Sequence, residues 1–254
     1  MIKDNPLFSK TNQKFNVIIL AAGVGSRLKP ETDFIPKALV NVGKDRAIDN
    51  LLKKYQYIAD RIIIAVGYNA DLLENYTKGK YGSMNLSFSK EKVSELYGPG
   101  KSLVYALDFA SSQLPTIITF CDYLVEDFFN VDQDGLGICN PKNDKTPVLG
   151  TYKTIANIEE GIILNLEKNK DISKIKKNGF TGIGVFHNTL FLKALAYHAS
   201  FEKGIKKVDY AFDIVDKYVK KMRTIAIPLS KMFEFGTEEL LRKTREYIDD
   251  DGNI

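Results

Sequence analysis

The chain has 254 residues, 44% hydrophobic and 27% charged, with 36 Lys and Arg against 32 Asp and Glu for a formal net charge of +4. That balance describes an ordinary folded protein with enough length for one large domain, and it gives no electrostatic case for nucleic-acid binding. Two cysteines (Cys121, Cys139) and two histidines (His187, His198) at unrelated spacings exclude a structural zinc site and a disulfide framework.

Residues 1–14 read as a polar arm without the apolar core of a secretory signal, and no apolar run has the length of a membrane span. A cytoplasmic protein with reduced thiols and no membrane partner is expected. The folded domain is expected to fill 15–254. Phe15–Leu20 is a short run rich in β-branched residues with a glycine-rich turn at its end. Arg61–Val66 ends at Gly67, and Thr116–Cys121 ends at Asp122. Such runs are the mark of strands buried on both faces. Between them, 46–59, 70–77 and 100–112 carry apolar residues at helical spacing. Strands alternating with helices predict βαβ units and a parallel sheet.

The second half is less regular. Residues 147–156 and 161–167 predict an antiparallel pair around Glu159-Glu160-Gly161. Residues 180–186 predict a strand, 204–221 a helix, 223–228 a last strand and 237–248 a terminal helix. Ligands of such sheets bind at the carboxyl ends of the strands, and every candidate motif falls at one.

The first motif is Leu20-Ala21-Ala22-Gly23-Val24-Gly25-Ser26-Arg27-Leu28-Lys29-Pro30. Glycines and small residues let backbone N–H groups approach an anion closely. Arg27 is one of only six arginines and adds a fork-shaped cation; Lys37 follows ten residues on. A tight strand-to-helix turn with a surface arginine is the plain alternative. The dinucleotide fingerprint fails because Leu28 stands at the third glycine, and no Gly-Lys-Ser/Thr completes a Walker A loop.

The whole string, with Pro36-Lys37-Ala38-Leu39-Val40-Asn41-Val42 after it, resembles the signature of nucleotidylyltransferases. These join an NTP to a phosphorylated small molecule, and they include sugar-1-phosphate nucleotidylyltransferases and bacterial phosphocholine cytidylyltransferases. The resemblance spans about 15–247. It implies a Rossmann-like, mostly parallel mixed sheet flanked by helices, with a small antiparallel region on the acceptor side. It also implies that Gly23, Val24, Gly25, Ser26 and Arg27 hold the triphosphate, that Lys37 touches the reacting phosphates, and that Leu20, Ala21 and Ala22 border the nucleoside. Arg27 and Lys37 are the catalytic candidates.

Asp122 follows a strand directly. A carboxylate there suits Mg²⁺, which takes one or two protein carboxylates beside phosphate oxygens; a helix N-cap is the alternative. The family carries Asp here, usually after Gly, where this chain has Cys121. Phe233-Glu234-Phe235-Gly236-Thr237-Glu238 resembles the family's late motif and implies Glu234 as the second magnesium ligand. Tyr68, Gly100 and Ser102 sit where the family borders the nucleotide. On the acceptor side the candidates are Gly182, Tyr210, Asp213 and Lys168. The family's Glu-Lys-Pro sugar motif is replaced by Glu167-Lys168-Asn169.

These departures, and the absence of Trp, favour a cytidylyltransferase. Its partners would be CTP and a phosphocholine-like or phosphoamino-acid acceptor, with a role in surface-glycan or capsule synthesis. A sugar-1-phosphate enzyme is the alternative within the class. A non-catalytic nucleotide-binding subunit and a nicotinamide-dependent dehydrogenase are the alternatives outside it. Oligomeric state is open, with a homodimer as one option.

Overall fold

The computed structural model describes residues 12–90, 99–125, 129–139, 154–168, 178–203, 211–229 and 232–251. Strand β1 (Phe15–Leu20) leads into the glycine loop. A two-stranded ribbon of β2 (Asn41–Val42) and β3 (Asp45–Arg46) follows, then α1 (Ala47–Tyr55), β4 (Ala59–Val66), α2 (Ala70–Tyr81), β5 (Leu86–Lys90), α3 (Pro99–Leu107), β6 (Thr116–Phe120) and β7 (Tyr123–Val125). The second half holds β8 (Gly135–Cys139), β9 (Thr154–Glu159), β10 (Ile162–Lys168), β11 (Gly179–Phe186), α4 (Thr189–Lys203), α5 (Ala211–Val219), β12 (Ile225–Leu229), β13 (Met232–Glu234) and α6 (Glu238–Asp251).

Among the described residues nine strands form one mixed sheet in the order β5-β4-β1-β6-β11-β8-β12-β10-β9. The first four are mutually parallel. β11 enters antiparallel to both β6 and β8, and β9 and β10 pair antiparallel. The α/β class expected from the sequence is the observed one.

β1 shows why its run carries no polar alternation. Val17 and Ile19 point into one apolar cluster with Leu51, Leu52, Tyr55 and Leu73 of α1 and α2. Ile18 and Leu20 point into another with Leu103, Leu107, Leu192 and Tyr218 of α3, α4 and α5. Side chains alternate faces along a strand, so a central strand covered on both sides must be apolar throughout. Helices on both faces also fix the winding. From β1 the chain moves outward to β4 and β5, then returns to place β6 on the other side of β1. The strand order therefore reverses between β1 and β6, which is where such folds bind ligands.

A third cluster joins Leu28, Val40, Val42, Leu124, Phe233, Phe235, Leu241 and Ile248. It ties α6 to the glycine loop and to the antiparallel pair of β7 with β13. Between α1 and α2, Asp49 of α1 is buried and accepts hydrogen bonds from Tyr76 (2.8 Å), Lys80 (2.9 Å) and Tyr81 (2.9 Å) of α2, and from the backbone N–H of Arg46 (3.2 Å). Burial acts to raise its carboxyl pKa, but the donors from Lys80, Tyr76 and Tyr81 override it and hold the group below its ordinary value.

The structure adds elements that the pattern does not mark. β8 reads Gly-Leu-Gly-Ile-Cys, which resembles a turn. Its Gly137 is needed because a Cβ there would lie 2.5 Å from Ile183 Cγ2 and from Thr181 Oγ1 on β11. β5, β7, β13 and α4 also appear without a sequence forecast. α1 stops at Tyr55, short of 59. The parts of the expected elements at 147–153 and 204–210 lie outside the described residues.

Candidate active site

The carboxyl ends of β1 and β6 enclose a cleft of about 260 Å³, lined by Leu20, Ala22, Gly23, Lys37, Pro99, Ser102, Phe120, Cys121 and Asp122. It lies at the point of strand reversal. The Cys121 N–H donates to the Leu20 carbonyl at 3.2 Å, so the two strand ends stay paired at its floor. Pro99 and Ser102 open α3, whose N-terminal N–H groups and dipole favour negative charge.

The glycine loop has a definite geometry. Gly25 adopts φ +72°, a left-handed conformation that glycine takes without steric cost. Its carbonyl accepts from Thr32 Oγ1 at 2.8 Å, and a Cβ on it would sit 3.0 Å from Thr32 Cγ2 and 3.2 Å from Lys37 Cβ. The loop thus folds back onto the Lys37 segment. Only the three-residue turn Ser26–Leu28 follows it, not a long helix. The strand-to-helix alternative is corrected accordingly, and the dinucleotide reading loses the helix N-terminus it needs. Gly23 lines the cleft with open space around its missing Cβ. Gly67 supports the loop from below, because a Cβ there would lie 2.6 Å from the Ala22 carbonyl oxygen.

Lys37 is 8% exposed and ion-paired with Asp122. Asp122 sits in a tight turn between β6 and β7. The helix N-cap alternative is therefore wrong: a strand follows it. The pairing of β7 with β13 sets Glu234 opposite Tyr123, one residue from Asp122, and the Phe235 N–H donates to the Asp122 carbonyl at 3.1 Å. Glu234 is only 3% exposed. A Cβ built on Gly236 would meet Glu234 Oε1 at 2.9 Å, Arg27 Nη2 at 3.3 Å and Asp122 Oδ2 at 3.3 Å. Two carboxylates and a guanidinium thus surround one point that only a glycine leaves open. Thr237 then caps α6, accepting from the Leu240 N–H at 3.3 Å.

The donor set suits magnesium. Among the described residues no group of three or more His, Cys, Asp or Glu forms a closed metal cage. Two carboxylates beside an anion cradle are what a hard cation retaining water and phosphate ligands requires. Lys37 Nζ ion-pairs with Asp122 beside this point. Cys121 is buried, and desolvation with the nearby Asp122 charge pushes its thiol up to about 12, so it is an inert wall rather than a nucleophile.

The other expected residues divide. Leu20, Ala22, Gly23 and Ser102 line the cleft; Ala21 is buried behind it. Val24, Ser26 and Gly100 flank it without lining it. Tyr68 is not at the cleft: its hydroxyl donates to the Asp33 carbonyl at 2.8 Å, and its N–H to that of Ala22 at 3.3 Å. Its place is to brace the loop. Lys168 and Asp213 pair with each other at 3.1 Å, and neither is among the residues that line the cleft. Tyr210 lies outside the described residues. Gly182 has φ +77°, and a Cβ there would strike Phe120 Cδ2 at 2.6 Å. It reaches the cleft through that ring.

Phe120 itself is the residue that sequence reasoning missed. It stacks on Phe212 of α5 with centroids 5.7 Å apart and meets Tyr123 edge-on at 6.1 Å. Its one sequence signal is its position, two residues before Asp122 at a strand end.

Residues 17–127 match the family profile described as the MobA-like NTP transferase domain. This part of the chain is similar to that nucleotidyltransferase domain, and the sheet, loop and carboxylates above lie within and around the matched residues. Choline-phosphate cytidylyltransferase of Streptococcus pneumoniae is 48% identical over 67 residues, 26% of this chain and 28% of that protein. D-glycero-α-D-manno-heptose 1-phosphate guanylyltransferase of Campylobacter jejuni is 22% identical over 218 residues, 79% of this chain and 91% of that protein. The solved structure of CTP:phosphocholine cytidylyltransferase from Streptococcus pneumoniae superposes with a TM-score of 0.72 at 21% identity, covering 92% of this chain and 99% of that one, and shares the fold. The chain spans 35%, 28% and 40% of the length of three of the curated relatives it matches. Among the described residues no helix is long and apolar enough to cross a membrane.

Proposed function

We propose that the protein transfers a nucleotidyl group from an NTP, with CTP preferred, to a phosphorylated small acceptor and releases pyrophosphate. The observation that carries this reading is the convergence of Lys37, Asp122, Glu234 and Arg27 at the rim of the β1/β6 cleft.

An acceptor phosphate oxygen forms a bond to the α-phosphorus in line, and the bond to the bridging oxygen breaks as pyrophosphate leaves with its electron pair. The nucleophile is already an anion, so no general base is required. What the chain must supply is position and positive charge. Lys37 neutralises charge growing on the α-phosphate, and Arg27 holds the departing phosphates. Gly23 and Gly25 let the backbone approach them. The small side chains of Ala21 and Ala22 leave room for the nucleoside, and Ser102 faces it from the start of α3. Asp122 and Glu234 would hold Mg²⁺, which when bound offsets the charge of the triphosphate.

The acceptor side supports a phosphocholine-like molecule. Phe120, stacked on Phe212, offers a ring face and no hydrogen-bonding group, which suits an alkylated ammonium better than sugar hydroxyls. Consumption of a cytosolic NTP and two buried free thiols suit the cytoplasm, and a product of this kind would feed surface-glycan or capsule synthesis. The second reading is a sugar-1-phosphate nucleotidylyltransferase, favoured by the heptose 1-phosphate relative matched over 91% of its length.

Pyrophosphate release from four NTPs against phosphocholine, phosphoethanolamine and hexose 1-phosphates separates the two. Turnover with CTP and phosphocholine is expected. Turnover with hexose 1-phosphates alone would overturn the acceptor assignment.

A further inference from the structure

We propose that the solvent-facing side of α4 is the contact surface for a second copy of this chain. α4 packs against the sheet and its neighbouring helices through Leu192, Ala196 and Ala199. Its other side carries Leu190, Ala194, Tyr197 and Phe201. At about 100° per residue these four fall within an arc of roughly 60°, with the alternating spacing of a helix-packing seam.

Phe201 is 92% exposed, Leu190 63% and Tyr197 53%. With His198 and Ala194 they are exposed positions of α4 that carry no acidic residue, lysine or arginine, in a chain that is 27% charged. A helix face left to water is normally charged, and a continuous apolar one marks an interface. The patch continues onto Phe109, 40% exposed beyond α3. Beside it Asp108 accepts from the Tyr197 hydroxyl, which fixes that ring in place.

The seam is complementary to itself. In a two-fold antiparallel contact Leu190 faces Phe201 of the other copy, and Ala194 faces Tyr197. Each of these two rings then meets leucine or a small alanine, the reciprocal pattern an isologous interface requires. Tyr197, His198, Ser200 and Phe201 form an open, shallow surface at this end of α4. The three rings and Leu190 supply on the order of 500 Å² per copy, about 1,000 Å² for the pair, the size at which specific interfaces begin.

The nucleotide cleft remains open in such a dimer. Thr189, at the start of α4, hydrogen-bonds Thr116 Oγ1 at 2.7 Å. Thr116 begins β6, whereas the cleft lies at the opposite end of that strand.

Sedimentation velocity across the micromolar range is the test, with Phe201→Glu as the disrupting variant and the double variant Ala194→Cys/Tyr197→Cys as the cross-linking one. The wild type is expected to dimerise. Phe201→Glu is expected to raise the dissociation constant at least tenfold, with unchanged circular dichroism and unchanged turnover per chain. The double variant is expected to form a covalent dimer on oxidation. A wild type that stays monomeric throughout overturns the proposal, whatever else binds the patch. So does a dimer that Phe201→Glu leaves intact, or a double variant that does not cross-link in the dimer.

Discussion

The two halves of the sheet build their share of the cleft in opposite ways. In the half to which we assign the nucleotide, β1, β4 and β6 lie side by side and parallel, so the glycine loop after β1, Gly67 after β4 and Asp122 after β6 arrive at the same edge. In the half to which we assign the acceptor, β11 runs antiparallel to β6, and the cleft residue Phe120 of β6 is set by groups distant in sequence, Gly182 of β11 beneath its ring and Phe212 of α5 stacked on it. A parallel edge concentrates chemistry into contiguous motifs. An antiparallel one distributes it over residues that no motif joins.

That contrast can be broken first at its strongest point. Lys37→Ala removes a buried cation from the nucleotide half and is expected to lower turnover by about 10²–10³-fold, roughly 2.7–4 kcal/mol of barrier, with little change in the acceptor KM. Steady-state pyrophosphate release reads both quantities. Next is the loop's support: Gly67→Ala places a methyl group against the Ala22 carbonyl and is expected to cost about 1–3 kcal/mol, visible as a lowered Tm and a raised NTP KM. A Tm equal to that of the wild type would remove the brace from the account.

Phe120→Ala probes the acceptor half. Loss of a ring face is expected to weaken a cationic acceptor by about 0.5–2 kcal/mol, or roughly 2–30-fold in its KM, while the KM for CTP holds. An equal rise for both substrates would make Phe120 a general packing residue. Asp49 gives a pH dependence confined to the nucleotide half. Its carboxyl titrates below the ordinary value of 3.8 in the folded chain, so its contribution is full above that value and is lost as pH falls through the lower folded one. Wild-type Tm is therefore expected to fall more steeply than that of Asp49→Asn on acidification below about pH 4, as thermal melts across that range would record. The smallest effect is Lys168→Ala. Its half-exposed pair with Asp213 is expected to contribute at most about 1 kcal/mol of stability and nothing to turnover.

The same contrast governs what the sequence made legible. The apolar run Phe15–Leu20, the glycine loop, Lys37 and Asp122 were readable because burial on both faces and close anion approach each leave a local signature. Glu234 was readable through its resemblance to a family motif rather than through its neighbours, since its approach to Asp122 depends on the long-range pairing of β7 with β13. Phe120 was hidden because a ring at a strand end looks like core until its partner strand and helix are known. The contacts of Tyr68, Lys168 and Asp213 were hidden for the converse reason: their position near a motif gave no hint that other parts of the fold engage their polar groups. α4 went unmarked because it carries apolar residues on its exposed side as well as its buried one, which blurs the helical period.

The central claim is that Asp122 and Glu234 serve a metal-dependent nucleotidyl transfer with Lys37 and Arg27. A Mg²⁺ titration of pyrophosphate release by the wild type and by Asp122→Asn tests it most directly. The account predicts that wild-type turnover requires Mg²⁺, and that Asp122→Asn needs far more metal and reaches a much lower maximum. Equal turnover by the two proteins at every Mg²⁺ concentration, or full wild-type turnover in excess chelator, would contradict it.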